Sequence, residues 1–136
     1  MMSLEMMKSI LATIALALAV AQAIAGLRLR GHAKSLSLPI RYLRPWHRWG
    51  GDARLLLTVL VAFLCVTHFT FGTYSLRVPL HVILGTQAIA VMLAKVIIAR
   101  RFRAYLRRTL ILGTIAGLSL SGAFTASALW YMLLLW

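Results

Sequence analysis

The sequence predicts an all-α fold: an integral membrane four-helix bundle with its N- and C-termini on the extracytoplasmic side. Composition is the first ground. Of 136 residues, 62% are hydrophobic, and mean hydropathy is +0.89. A soluble domain needs only about half of its residues to be apolar. The second ground is arrangement, because the apolar residues fall into four runs, each near the roughly 20 residues that span a bilayer. The third is charge: 15 Lys and Arg face only two acids, Glu5 and Asp52, and the cations lie mainly between the runs.

The first helix is expected over residues 6–26. Lys8, the apolar stretch and Ala21-Gln22-Ala23 imitate a signal peptide. The flank after the run, with Arg28, Arg30 and Lys34, is more basic than the flank before it, which favours a retained helix with its N-terminus outside. Alanines at 12, 15, 17, 19, 21, 23 and 25 make it slim enough for close helix packing. A basic loop over 27–52 follows, interrupted by Pro39 and Pro45 and closed by Gly50-Gly51. Tyr42, Trp46 and Trp49 alternate there with arginines, as at a membrane interface.

The second and third helices are expected over 53–73 and 79–99, with Pro79 in the first turn of the third, where its missing N–H is harmless. Arg77 is the sole cation of the turn between them. A second basic cluster follows, including Arg100, Arg101 and Arg103, towards which Lys95 can snorkel. The fourth helix is expected over 109–134. Gly113, Gly117, Ser121 and Thr125, each four apart, form a small-residue stripe suited to helix contact, and Trp130, Tyr131 and Trp136 mark its far interface.

Positive loops mark the cytoplasmic side, so both basic segments are placed inside and the termini outside. These cations would meet anionic membrane lipid rather than nucleic acid, which requires a solvated basic module. Cys65 is the single cysteine, so no intrachain disulfide exists; it reads as a small packing residue.

Two histidines carry the functional expectation. His68 lies about five residues before the end of the second run, roughly 8 Å deep at 1.5 Å per residue. His81 lies about two residues into the third, roughly 3 Å deep by the same rise. An antiparallel turn brings both imidazoles to one depth, and ionisable residues inside a span usually mark function. Gly85, Ala88 and Met92 share the His81 face; Cys65 and Gly72 share the His68 face. Two facing clearings topped by imidazoles suit an iron porphyrin, with His68 and His81 as metal ligands and Gly72 and Gly85 making room. Arg77 is the nearest cation for a propionate. Three other uses of these side chains stand beside that one: a histidine satisfied by a carbonyl or threonine, a different metal, or a different pigment. Two imidazoles without carboxylates or thiolates make a poor closed zinc site.

His47 sits about 30 Å from His68 along a continuous helix, hence at the opposite membrane face. It suits a propionate contact or interfacial anchoring. A second haem there would lack a transmembrane partner histidine, since His32 lies in the loop.

Four segments together resemble small bacterial b-type cytochrome membrane proteins related to cytochrome b561 and ferric-reductase-like transmembrane domains. They are His47-Arg48-Trp49-Gly50-Gly51, Leu80-His81-Val82-Ile83-Leu84-Gly85, Lys95 with Arg100-Arg101, and Thr125-Ala126-Ser127-Ala128-Leu129-Trp130. The likeness spans about residues 45–131. It implies haem b between histidines of neighbouring helices, in a multi-pass protein of the bacterial cytoplasmic membrane. One departure stands out: the pattern's second-span histidine falls about where Leu64 stands, one turn before His68.

A haem with two protein ligands has no open position and favours electron transfer over oxygen binding. No flavin or nicotinamide domain fits in these loops, so donor or acceptor would be another chain, such as a c-type cytochrome or a larger electron-transfer complex, or a quinone. The competing class is a non-catalytic accessory subunit of a respiratory or photosynthetic complex, binding lipid, pigment or nothing.

Overall fold

The computed structural model describes residues 3–31, 37, 39–68, 75–102, 105 and 109–134. It contains α1 (Leu4–Leu29), α2 (Ile40–Thr67), α3 (Arg77–Arg101) and α4 (Thr109–Phe124), the last continuing through a π-helical turn (Thr125–Leu129) into α5 (Trp130–Leu134). Four helical stretches are long and apolar enough to cross a membrane, which makes this a multi-pass membrane protein with lipid-facing helices.

Each element follows from local chemistry. The Ser3 hydroxyl caps α1 by accepting the Met6 N–H at 3.2 Å. Helix α2 begins at Ile40, well before the expected residue 53, so much of the segment read as a loop is helical. Pro39 takes the N-cap position, and Pro45 lies within the second turn. Pro45 lacks the N–H that would bond the carbonyl four residues earlier, a defect tolerable near a helix start. Gly50 and Gly51 do not end the helix. A side chain at Gly50 would run into Gln22 of α1, so the glycine allows the two helices to approach.

At its other end α2 stops at Thr67, short of the expected residue 73. The Thr67 hydroxyl donates to the Phe63 carbonyl at 2.9 Å, and His68, the C-cap, donates from Nδ1 to the Leu64 carbonyl at 3.1 Å. Of these acceptors, Leu64 is among the last four carbonyls, which a helix end leaves orphaned.

The helices run up and down. Ser3 Oγ lies 3.3 Å from the Tyr131 hydroxyl, placing the start of α1 beside α5. At the opposite end Arg30 donates to Thr109 Oγ1 at 2.9 Å, and Arg100 pairs with Asp52 at 2.8 Å. Helix α3 packs mainly on α4, and α1 on α2 and α4; α2 and α3 meet sparsely.

Packing is built from small residues. Ala19, Ala88, Met92, Ala116 and Leu120 form the core, and among the described residues no large side chain is wholly buried. Leu56, Phe63, Ile83 and Leu118 instead face outward. Lipid tails are as apolar as leucine, so this arrangement costs nothing and leaves close backbone approach as the main packing force. An interior of alanines also leaves space, and one cavity opens at each end of the bundle.

Candidate functional site

The cavity at the end carrying Ser3 and Tyr131 has a volume of about 140 Å³. All four spanning stretches line it, with Ser9 from α1, Thr58 and Cys65 from α2, His81 and Gly85 from α3, and Ser127 beyond α4. His81 is half-buried, and its Nδ1–H donates to the Ala123 carbonyl at 2.9 Å. The acceptor must be the carbonyl, so Nδ1 carries a proton, and in the neutral ring Nε2 is the nitrogen with the lone pair. Ala123 lies just before the π turn that begins at Thr125, and its carbonyl also accepts from Ser127 Oγ at 2.9 Å. Such turns often sit at functional sites, where the loosened ladder frees a carbonyl for a side chain.

His68 is exposed at the end of α2 and is not part of the cavity wall. Cys65, three residues earlier, is in the wall, which places His68 about 4.5 Å farther along the helix axis. Its Nδ1 lies 3.1 Å from the Leu64 carbonyl and 3.0 Å from Thr67 Oγ1, so its Nε2 is also the unprotonated nitrogen. The cavity therefore brings His81, Gly85 and Cys65 together and leaves His68 at the rim. A Cβ at Gly85 would have no atom within 4 Å, in keeping with a clearing on α3. Ala88 and Met92, expected on the same face, are instead committed to the core. Gly72 lies outside the described residues. Arg77 stacks over the Trp130 ring at 4.1 Å from its centroid, a cation–π contact joining α3 to α5.

The second cavity, at the Arg30 and Arg100 end, is larger, about 320 Å³. His47, Arg54 and Lys95 line it, together with Gln22, Gly26 and Arg30 from α1 and its C-cap. The Gln22 side chain donates to the Trp46 carbonyl at 3.3 Å, tying α1 to α2 beside the cavity. Gly26 and Gly113 give it width: a Cβ at Gly26 would touch the His47 ring at 3.4 Å, and one at Gly113 the Lys95 Nζ at 3.5 Å. The small-residue stripe of α4 opens here as well. Gly113, Gly117 and Ser121 line the cavity, Gly113 facing Lys95 of α3, while Ala116, Leu120 and Ala123 of α4 are buried.

The whole of residues 1–134 matches a family of unknown function, DUF6529. The chain belongs to this family. No curated protein matches this DUF6529 member, and no solved structure does.

Sequence reasoning about the DUF6529 chain missed the cationic cavity, although its residues were visible. Lys95 reads from sequence as a side chain snorkelling towards the second basic cluster. The signal was their spacing: Arg54 falls seven residues after His47, two helical turns along the same face. His32 lies outside the described residues. Among the described residues no cluster of three or more His, Cys, Asp or Glu forms a metal site.

Proposed function

We propose that this DUF6529 protein is a membrane-embedded b-type cytochrome subunit that transfers electrons near the extracytoplasmic face, in which His68 and His81 would hold one haem b. The observation that carries the reading is the matched anchoring of the two imidazoles. Each donates Nδ1–H to a main-chain carbonyl, Leu64 for His68 and Ala123 for His81, so each presents Nε2 as a lone pair. Metal-ligating histidines are oriented by such second-nitrogen bonds.

The donor set suits the group; the enclosed volume takes only part of it. A cavity near 150 Å³ holds a benzene-sized molecule, so the 140 Å³ space would be the floor of the site. The sparse contact between α2 and α3 is compatible with a flat macrocycle between them. A haem in this position supplies a one-electron couple. The chain's own contribution is to fix both imidazoles by their Nδ1 bonds and to exclude water with Ile89, Leu120 and Phe124. Arg77, stacked on Trp130, is the cation available to a propionate.

With basic ends inside, the site faces outward in a bacterial cytoplasmic membrane. Its partner is a c-type cytochrome, a larger electron-transfer complex or a quinone. A second reading, an accessory subunit without cofactor, draws on the same His81–Ala123 bond, which ties α3 to α4 as interhelical glue. A pyridine haemochrome assay on the purified protein separates them: one haem b per chain supports the cytochrome, and absence of b-type absorbance leaves the accessory role.

A further inference from the structure

We propose that the cavity at the Arg30 end binds the phosphate of an anionic phospholipid, with an acyl chain lying along the groove formed by Gly113, Gly117 and Ser121. This inference does not rest on the haem reading.

Charge balance points to an anion. Arg54 is only 5% exposed, lines the cavity, and its Nε has no hydrogen-bond partner. Lys95 completes the cationic wall. The chain has only two carboxylate side chains, and both are engaged elsewhere: Glu5 with Lys8 near the opposite end, and Asp52 with Arg100 on the exposed flank. Buried charges are ordinarily paired, because an isolated one loses its hydration without compensation. Here the counter-charge has to come from outside the chain.

Shape points to an amphiphile from the membrane. The cationic groups sit at one end of the cavity, beside Arg30 and Thr109. From there the wall runs to Leu16 and Ser121, and the lining residues Val20, Leu118 and Ser121 are exposed on the lipid side. Access is therefore lateral, between α1 and α4. Thr109 to Ser121 spans roughly 18 Å along a helix. A Cβ at Gly117 would meet nothing within 4 Å, so the groove floor is open. Basic pockets between transmembrane helices are suited to lipid head groups.

The test is native mass spectrometry of the full chain released from nanodiscs containing phosphatidylglycerol and phosphatidylcholine. The wild type is expected to retain one phosphatidylglycerol in preference to phosphatidylcholine. Arg54→Gln and Lys95→Met are each expected to weaken that retention about tenfold, the effect of losing one charge-assisted hydrogen bond. Gly117→Leu, which blocks the groove without touching a charge, is expected to weaken it too and guards against misfolding of the charge variants. Equal retention of both lipids, or no change in all three variants, overturns the proposal. Displacement of the lipid by inorganic phosphate alone would also overturn it, by identifying a free-anion site. So would loss of a bound haem on His47→Ala, since the cavity would then be a haem pocket. That last outcome leaves the His68–His81 reading to be judged by its own spectra.

Discussion

Replacing His81 separates its two roles, as a tie between helices and as a ligand. In protein stripped of any cofactor, His81→Ala removes the 2.9 Å bond from Nδ1 to the Ala123 carbonyl. Hydrogen bonds between membrane helices average about 0.6 kcal/mol and reach about 1.7 kcal/mol. The carbonyl is not orphaned, because Ser127 Oγ still donates to it at 2.9 Å, which keeps the hydrogen-bond loss near the lower figure. Truncation also enlarges the 140 Å³ cavity that His81 lines, and the lost packing adds to the cost. The sum is about 1–2 kcal/mol. His81→Asn places an amide nitrogen about where Nδ1 stands, keeps the bond, and is expected within about 0.5 kcal/mol of wild type. Reversible unfolding in mixed micelles measures both. If Asn is as destabilising as Ala, the tie to Ala123 is not what His81 supplies to the fold, and the tautomer argument loses its basis. Both variants, reconstituted with haem, are expected to lose the low-spin spectrum.

Three further outcomes follow from the same geometry. Gly85→Leu meets no atom at its Cβ within 4 Å, so thermal unfolding should barely change while the filled clearing abolishes cofactor uptake; a marked loss of stability would show that the clearing is packed. Gly122→Val drives a side chain towards Leu84 Cδ1, which a Cβ alone would approach to 2.9 Å, and is expected to cost about 1–3 kcal/mol, partly recovered in the double variant with Leu84→Ala. A reporter fused after Trp136 is expected to read extracytoplasmic, and a cytoplasmic signal would put the His68–His81 end inside.

The four spans were legible because hydropathy and length are properties of the segment alone, and a bilayer imposes few alternatives. The boundaries of α2 were not. Pro39, Pro45 and Gly50-Gly51 are turn signals in water, yet here Pro39 serves as a cap, Pro45 falls early enough to be tolerated, and Gly50 is the contact point for Gln22. Propensity gave way to packing with α1, which no local pattern encodes. The stripe of Gly113, Gly117 and Ser121 was visible as a motif, but its use depends on which helix stands opposite. The structure places Gly113, Gly117 and Ser121 in the wall of a cavity, with Lys95 of α3 opposite Gly113. His81 and Gly85, expected on one face of α3, both line a cavity, whereas the acceptor of His81 has no local sequence signal. It lies on α4, 42 positions away in sequence and beside a π-helical turn (Thr125–Leu129) that carries no conventional sequence signal.

The central claim concerns one iron between two imidazoles, and electron paramagnetic resonance of the oxidised protein reads the axial ligands directly. Wild type is expected to give a low-spin bis-imidazole signal, lost in His68→Ala and in His81→Ala and kept in His47→Ala. A wild-type signal that survives either of the first two substitutions, or disappears with the third, would contradict the assignment.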